Sequence, residues 1–220
     1  MTDSRRPYDV LIFDWDGTLV DSIGRIVLAM HRAAQALGLP RLEDEDVKGI
    51  IGLAMPQAIA ALYPGLTRHD EISAFQGLYA ECYLSLEAEP SPFYPGVVEM
   101  LDAFRRAGFR LAVATGKSRR GLDRVLAGHG YEQFFDITRC ADETASKPDP
   151  LMLNEILAHC RTPVHRAVMV GDSLFDLQMA ARLGMDAVAV SYGAQSAEVL
   201  RRSRPSLLVD RFDQLATWLS

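Results

Sequence analysis

The chain has 220 residues, of which 49% are hydrophobic and 24% charged, a composition typical of a soluble globular protein with one or two domains. The formal net charge of −6 argues against nucleic acid as the main partner, because a phosphate backbone is bound by a basic surface. The N-terminus, Met1–Pro7, is too polar for a signal peptide, and no apolar run is long enough to span a membrane. The three separated cysteines, Cys82, Cys140 and Cys160, are expected to be reduced thiols, as in a cytoplasmic protein without a membrane partner.

The first predicted element is a buried strand over residues 8–14, because Val10–Phe13 is a continuous apolar run. The following residues carry apolar stripes at helical spacing, interrupted by glycine and proline, and predict only helices. These helices are expected at Ser22–Leu37, about Glu43–Ile50, Pro56–Leu62 and Asp70–Leu86.

A proline-rich segment, Glu89–Gly96, separates the helical block from a region of alternating helices and strands. Helices are expected at Val97–Ala107, Ser118–Ala127, Asp149–Cys160, Leu174–Leu183, Ser196–Arg201 and Phe212–Leu219. Strands are expected at Phe109–Ala114, Phe134–Thr138, Ala167–Val170, Ala187–Val190 and Leu207–Val209. This alternation predicts an α/β fold with a doubly wound parallel sheet. The first strand belongs to that sheet, so we expect a catalytic core of residues 1–20 and 90–220 and an inserted helical cap of residues 21–89.

Two aspartates, Asp14 and Asp16, follow the first strand directly and precede Gly17. Side chains alternate along an extended chain, so the two carboxylates are expected to leave the same face. Carboxylates this close repel each other unless a cation lies between them. The pair is therefore suited to hold a hard cation such as Mg²⁺, or to divide the roles of nucleophile and general acid/base.

Three other strands carry polar residues at their carboxyl ends, where doubly wound sheets bind ligands. Thr115–Ser118 opens a helix and offers a hydroxyl, free backbone N–H groups at Gly116 and the Lys117 amine for a phosphate. A P-loop is excluded, because its first glycine would have to stand where Leu111 is. Lys147 follows the next strand, and Gly171-Asp172 ends another, with Asp176 one helical turn beyond.

Lysine is rare in this chain: of 23 basic residues only Lys48, Lys117 and Lys147 are lysines. Lys48 lies in the predicted cap, close to Gly52, which interrupts a helix. This rarity makes Lys48 a candidate functional residue; the alternative is a solvated helix lysine.

The ordered motifs DWDGTLVDS, ATGKS, SKPDP and VGDSLFD resemble those of the haloacid dehalogenase-like superfamily over essentially the whole chain. The helical insertion is similar to the small cap of the phosphoglycolate phosphatase and β-phosphoglucomutase branch. This similarity implies that Lys48 binds the leaving group and favours a substrate with a second anionic group, such as a carboxylate. The resemblance implies that Asp14 is the nucleophile and forms an aspartyl-phosphate. It implies that Asp16 protonates the leaving alkoxide and then deprotonates water, while Thr115 and Lys147 hold the phosphoryl oxygens.

The resemblance also implies a Mg²⁺ cofactor bound by Asp14, the backbone carbonyl of Asp16 and Asp172, with Asp176 in support. The dehalogenases that give the family its name resemble this chain least, since they lack the aspartate that stands here as Asp16. We expect a phosphatase acting on a small soluble phosphomonoester, such as phosphoglycolate, a sugar phosphate or a nucleotide. A β-phosphoglucomutase-type phosphomutase stays open as an alternative; a phospho-receiver domain or an inactive binding protein fits less well. The oligomeric state is left open between monomer and homodimer.

Overall fold

The structure, a computed structural model, describes residues 7–219. Of the polar N-terminal segment Met1–Pro7, only Pro7 is among the described residues. The strands are β1 (Val10–Phe13), β2 (Arg110–Thr115), β3 (Ile137–Cys140), β4 (Ala167–Gly171), β5 (Asp186–Val190) and β6 (Leu207–Val209). The helices are α1 (Ile23–Ala36), α2 (Asp44–Gly49), α3 (Met55–Leu62), α4 (His69–Ser85), α5 (Val97–Arg106), α6 (Arg119–His129), α7 (Leu151–Cys160), α8 (Leu174–Ala181), α9 (Ala197–Arg201) and α10 (Leu215–Leu219). No helix in this described range is long and apolar enough to cross a membrane.

The strands form one parallel sheet in the order β3-β2-β1-β4-β5-β6, which confirms the predicted α/β fold. The order reverses around β1, and ligands of such sheets bind at that point. In register, Phe13 pairs with Val113 of β2 and with Val170 of β4. The carboxyl ends of β1, β2 and β4 therefore lie side by side.

Both faces of the sheet are buried, as expected for parallel strands covered by helices. Leu11 and Phe13 of β1 belong to the hydrophobic cluster on one face, and Val10 and Ile12 belong to the cluster on the other. This alternation carries Asp14 out of the sheet on the face opposite Trp15, which is fully buried among aromatic side chains.

Helices α1–α4 lie between β1 and β2 in the chain and pack around a hydrophobic cluster of their own. The two segments that connect them to the sheet run side by side. Val20 pairs with Phe93 in an antiparallel bridge, and the Asp21 amide donates to the Pro92 carbonyl over 2.8 Å. The helical insertion, defined here as residues 23–85, is thus joined to the sheet through one paired connection.

The third strand differs from its prediction, since it begins at Ile137 instead of Phe134. The side chains of Phe134 and Phe135 pack with Tyr131 in an aromatic group ahead of the strand. An apolar run marks burial, and here the burial comes from packing of the loop rather than from strand pairing.

Candidate active site

Four side chains predicted from separate motifs meet at the carboxyl edge of the sheet. Asp14 follows β1, Thr115 ends β2, Asp172 follows β4, and Lys147 lies in the loop between β3 and α7. Each of the four is at most 1% exposed. Burial of this many polar side chains is costly unless they are paired, so their mutual contacts decide what the site can do.

Lys147 is the central cation of this cluster. Its Nζ lies 2.7 Å from Asp14 Oδ1 and 2.6 Å from Asp176 Oδ1. Burial opposes the charge on the amine, but the two carboxylates outweigh it and raise the pKa of Lys147. Asp176 is held in turn, because its Oδ2 accepts hydrogen bonds from the Ser173 hydroxyl at 2.6 Å and from the Ser173 amide at 3.2 Å.

Asp172 is fixed by two donors from other parts of the chain. Thr18 Oγ1 donates to Oδ1 at 3.1 Å, and the Ala194 amide donates to Oδ2 at 2.6 Å. Gly17, with φ +79°, allows the approach, because a Cβ there would lie 2.1 Å from Asp172 Oδ2. Burial and the neighbouring Asp176 raise the pKa of the Asp172 carboxyl to about 7.

The cluster has the composition of a divalent-cation site. Asp14, Asp172 and Asp176 each present a carboxylate oxygen, and these oxygens lie within 4.8 Å of one another. When all three carboxyls are ionised, they and one ammonium leave two negative charges, which is the charge that Mg²⁺ would balance. Apart from the Lys147 ammonium, no donor within residues 7–219 approaches Asp14 Oδ1, and burial raises the pKa of the Asp14 carboxyl despite Lys147. Hard oxygen ligands of this kind fit Mg²⁺.

Asp16 belongs to the same edge but has different partners. The Ser22 hydroxyl donates to Asp16 Oδ1 at 2.6 Å, and Lys117 Nζ lies 3.0 Å from the same oxygen. Asp14 and Asp16 both line one cavity, as their alternation along the chain predicts. Asp14 is therefore tied to the buried cluster, whereas Asp16 lies where the sheet edge meets the helical insertion.

The cavity has a volume of about 550 Å³ and is formed by the sheet edge and the helical insertion together. Thr115, Gly116 and Lys117 line it from the sheet. The side of the insertion is mixed, with apolar side chains of Ile50, Leu53 and Met55 and polar side chains of Gln57, Gln76 and Tyr79. A cavity of this size and lining accommodates a small polar molecule.

One segment of the insertion, residues 49–54, lies directly on the sheet edge. The Ala54 amide donates to Ser146 Oγ at 2.9 Å, and Gln195 Nε2 lies 3.4 Å from the Gly49 carbonyl oxygen. At Gly116 the approach is so close that a Cβ would lie 2.6 Å from the carbonyl oxygens of Gly52 and Leu53. We call residues 49–54 the docking loop.

Lys48 pairs within its own helix in this structure. Its Nζ is 2.7 Å from Glu45 Oε1, one turn earlier in α2, and the Lys48 side chain is 33% exposed. Lys48 is not among the described residues that line the cavity, and in this segment the lining begins at Ile50, after α2 ends. The pair with Glu45 is typical of a surface helix and favours the alternative of a solvated lysine, while the contact of Lys48 with a leaving group stays a prediction.

Several residues of the site were not predicted from the sequence. Ser22 was assigned only to a helix start, and Tyr83 was not singled out in α4. Ser146 gave a signal in the motif SKPDP, but its bond to the docking loop is a tertiary contact. Gln195 lies in a loop after β5 without a motif, so no sequence signal could have identified it.

Comparison with known proteins identifies the family of this chain. A family model for haloacid dehalogenase-like hydrolases matches residues 11–190. The chain is 31% identical over 211 residues to a probable phosphatase, IndB, of Dickeya dadantii, covering 94% of this chain and 91% of the relative. It is 32% identical over 208 residues to a phosphoglycolate phosphatase of Vibrio cholerae, covering 91% and 92%. A solved structure described as a predicted phosphoglycolate phosphatase from Haemophilus somnus shares the fold, with a TM-score of 0.86, 23% identity and coverage of 99% and 100%. The chain therefore belongs to the haloacid dehalogenase-like hydrolases.

Proposed function

We propose that this phosphatase hydrolyses a small phosphomonoester with Mg²⁺ through a phosphorylated Asp14. The observation that carries the proposal is the position of Asp14. It is buried against Lys147 and within reach of Asp172, and it lines the cavity that Asp16 and Thr115 also line. A carboxylate attacks a phosphate dianion only when the surrounding charges compensate for the repulsion. Lys147 and a metal held by Asp14, Asp172 and the Asp16 carbonyl, with Asp176 in support, would supply that compensation.

In the first step, a carboxylate oxygen of Asp14 forms a bond to phosphorus as the bond from phosphorus to the alkoxide oxygen breaks. Asp16 transfers its proton to that leaving oxygen, so the alcohol departs neutral. The Thr115 hydroxyl, the Gly116 backbone and the Lys147 amine hold the transferring phosphoryl group. A bound Mg²⁺ would neutralise phosphoryl charge.

In the second step, the ionised Asp16 takes a proton from a water molecule, whose oxygen attacks the phosphorus of the aspartyl-phosphate. The acyl phosphate bond breaks, inorganic phosphate leaves, and the carboxylate of Asp14 and the proton on Asp16 are restored. The same residue thus serves as acid and then as base, and its place beside Asp14 on one face of the chain makes this possible.

The helical insertion would act as a cap domain that selects the leaving group. Its docking loop and α4 form the wall opposite Asp14, so any group attached to the phosphoryl oxygen has to fit there. The cavity volume favours a small metabolite, such as phosphoglycolate, a sugar phosphate or a nucleotide, over a macromolecule.

The proposal is tested by measuring inorganic phosphate released from a panel of about a hundred phosphorylated metabolites, with Mg²⁺ and with excess chelator. We expect activity that requires Mg²⁺ and is abolished in Asp14→Asn and in Asp16→Asn, because each variant removes one chemical role. Asp123→Asn is the matched control, since Asp123 is exposed on α6 and pairs with Arg119 on the surface.

Phosphate release by Asp14→Asn at the wild-type rate would exclude the covalent mechanism. Full activity in chelator would exclude the metal. Isomerisation of a sugar phosphate without net release of inorganic phosphate would instead establish the phosphomutase alternative.

A further inference from the structure

The side chain of Lys117 connects the helical insertion to Asp16. Its ammonium group lies 3.0 Å from Asp16 Oδ1 and 5.1 Å from the centre of the Tyr83 ring. We propose that Lys117 is a positioning residue: supported by Tyr83, it orients the Asp16 carboxyl for proton transfer to the leaving group. The inference rests on the proposed function, in which Asp16 is the acid.

The donors around the Asp16 carboxyl approach only one of its two oxygens. Ser22 Oγ and Lys117 Nζ both approach Oδ1, whereas within residues 7–219 no donor is found at Oδ2. The oxygen of a neutral carboxyl that accepts from two donors does not carry the proton, so the proton lies on the other oxygen. Lys117 and Ser22 together therefore assign the transferable proton of Asp16 to Oδ2.

Lys117 itself has few alternative positions. Its side chain is 12% exposed, and the Tyr83 ring below it is nearly buried. Burial opposes the charge on its amine, but an ionised Asp16 and the other groups around it favour that charge, and the pKa of Lys117 is raised. The guanidinium groups of Arg25 and Arg124 lie 5.8 Å from the same ring, and both pair with Glu87, so the other cations around Tyr83 are already bound.

Tyr83 belongs to α4 of the helical insertion, whereas Lys117 and Asp16 belong to the sheet edge. A displaced insertion would remove the ring from Lys117 and weaken the orientation of Asp16. The acid would then be correctly placed only while the insertion is docked on the sheet. The rate should depend on the orientation of Asp16 most strongly when the leaving group needs a proton. An alkoxide needs one, whereas p-nitrophenolate leaves without one.

The test compares kcat/KM for 2-phosphoglycerol, which has an alcohol leaving group without charge, with kcat/KM for p-nitrophenyl phosphate. Both values report formation of the phosphorylated enzyme, and their ratio reports general-acid assistance. We expect Lys117→Met to lower this ratio about tenfold or more, as for loss of a hydrogen bond to a charged group. Tyr83→Leu should lower it about threefold, whereas Tyr83→Phe, which keeps the ring, and Lys117→Arg should restore most of it.

Arg25→Met is the matched control, because it removes a cation from the same ring without touching Asp16, and its ratio should equal that of the wild type. Because Asp16→Asn is expected not to turn over, it is compared by single-turnover release of glycerol and of p-nitrophenol, and these two rates give the ratio that corresponds to full loss of the acid. If Asp16→Asn lowers the ratio and Lys117→Met does not, the positioning role is wrong while the proposed function stands. If Asp16→Asn itself leaves the ratio unchanged, Asp16 is not the acid and both proposals fail. An increase in KM alone in Lys117→Met, with an unchanged ratio, would make Lys117 a substrate ligand instead.

Discussion

Substitution of Gly116 by alanine is a direct test of whether the docking loop has to lie on the sheet edge for activity. The new Cβ would lie 2.6 Å from the carbonyl oxygens of Gly52 and Leu53, and ordinary contact begins at 3.4 Å. The docking loop would thus have to move away by about 0.8 Å, the difference between these two distances. Gly116 is not among the glycines with positive φ, so the alanine adds no backbone strain of its own.

The expected loss of activity follows from this displacement. A misplacement of about 1 Å costs roughly a hundredfold in rate when the displaced group orients a substrate. We therefore expect kcat/KM of Gly116→Ala to fall about 10- to 100-fold on alkyl phosphates. Stability should hardly change, because loss of one docking hydrogen bond costs about 1 kcal/mol and the reduced freedom of the unfolded chain returns about 0.4–1 kcal/mol. At this chain length the Tm should stay within about 3 °C of the wild type.

The assay is steady-state phosphate release together with thermal unfolding and inhibition by inorganic phosphate. The inhibition constant of phosphate should change less than kcat/KM, since the Cβ points at the docking loop and not at the Lys147 amine. Gly24→Ala is the control, because nothing lies within 4 Å of its Cβ position in α1. Wild-type kcat/KM in Gly116→Ala would refute the reasoning, as would a Tm lowered by many degrees, which would show a structural defect instead.

Three further predictions concern charged residues, two in the site and one at the surface. Because the folded pKa of Asp172 is about 7 and its usual value is 3.8, its contribution to stability is present below pH 3.8 and lost as the pH rises through 7. The Tm of metal-free protein should therefore fall between pH 5 and pH 8, and Mg²⁺ or Asp172→Asn should remove most of that fall; parallel curves with and without Mg²⁺ would contradict this. Lys147→Met leaves buried carboxylates without their cation. In chelator it should lower the free energy of unfolding by about 3–5 kcal/mol at pH 8, and by less at pH 5. Denaturant titration measures both values. Lys48→Ala should leave kcat/KM within twofold on every active substrate, because Lys48 pairs at the surface; a tenfold loss on one substrate would return it to the site.

The arrangement of the sheet edge was predictable from the sequence because parallel strands impose it. Once Val10–Phe13 was identified as a buried strand, alternation placed Asp14 and Asp16 on one face, and the later strands had to bring Thr115 and Asp172 to the same edge. The structure confirms the fold on which this reasoning depends. The roles of these residues remain predictions until the variants are measured.

The wall of the cavity opposite the sheet was not predictable in the same way. Tyr79 was assigned with Phe75 to one apolar stripe of α4, yet Phe75 is buried in the insertion while Tyr79 lines the cavity. An apolar stripe shows that a helix face is covered, but not whether a neighbouring helix or a cavity covers it. The direction of the Lys48 side chain was not predictable for a related reason, since the rarity of lysine in the chain carries no information on where a side chain points.

Three contacts between the helical insertion and the sheet lie next to residues that are assigned to the reaction. The docking loop meets Gly116, which follows Thr115, and it meets Ser146, which precedes Lys147. Tyr83 meets Lys117, which contacts Asp16. Each of these three contacts thus lies within one or two residues, or one ion pair, of a group assigned to the reaction. A leaving group that changes how the insertion lies on the sheet therefore changes the phosphoryl-binding groups and the acid together. For this reason discrimination between substrates should be found in kcat/KM as a whole and not in binding alone.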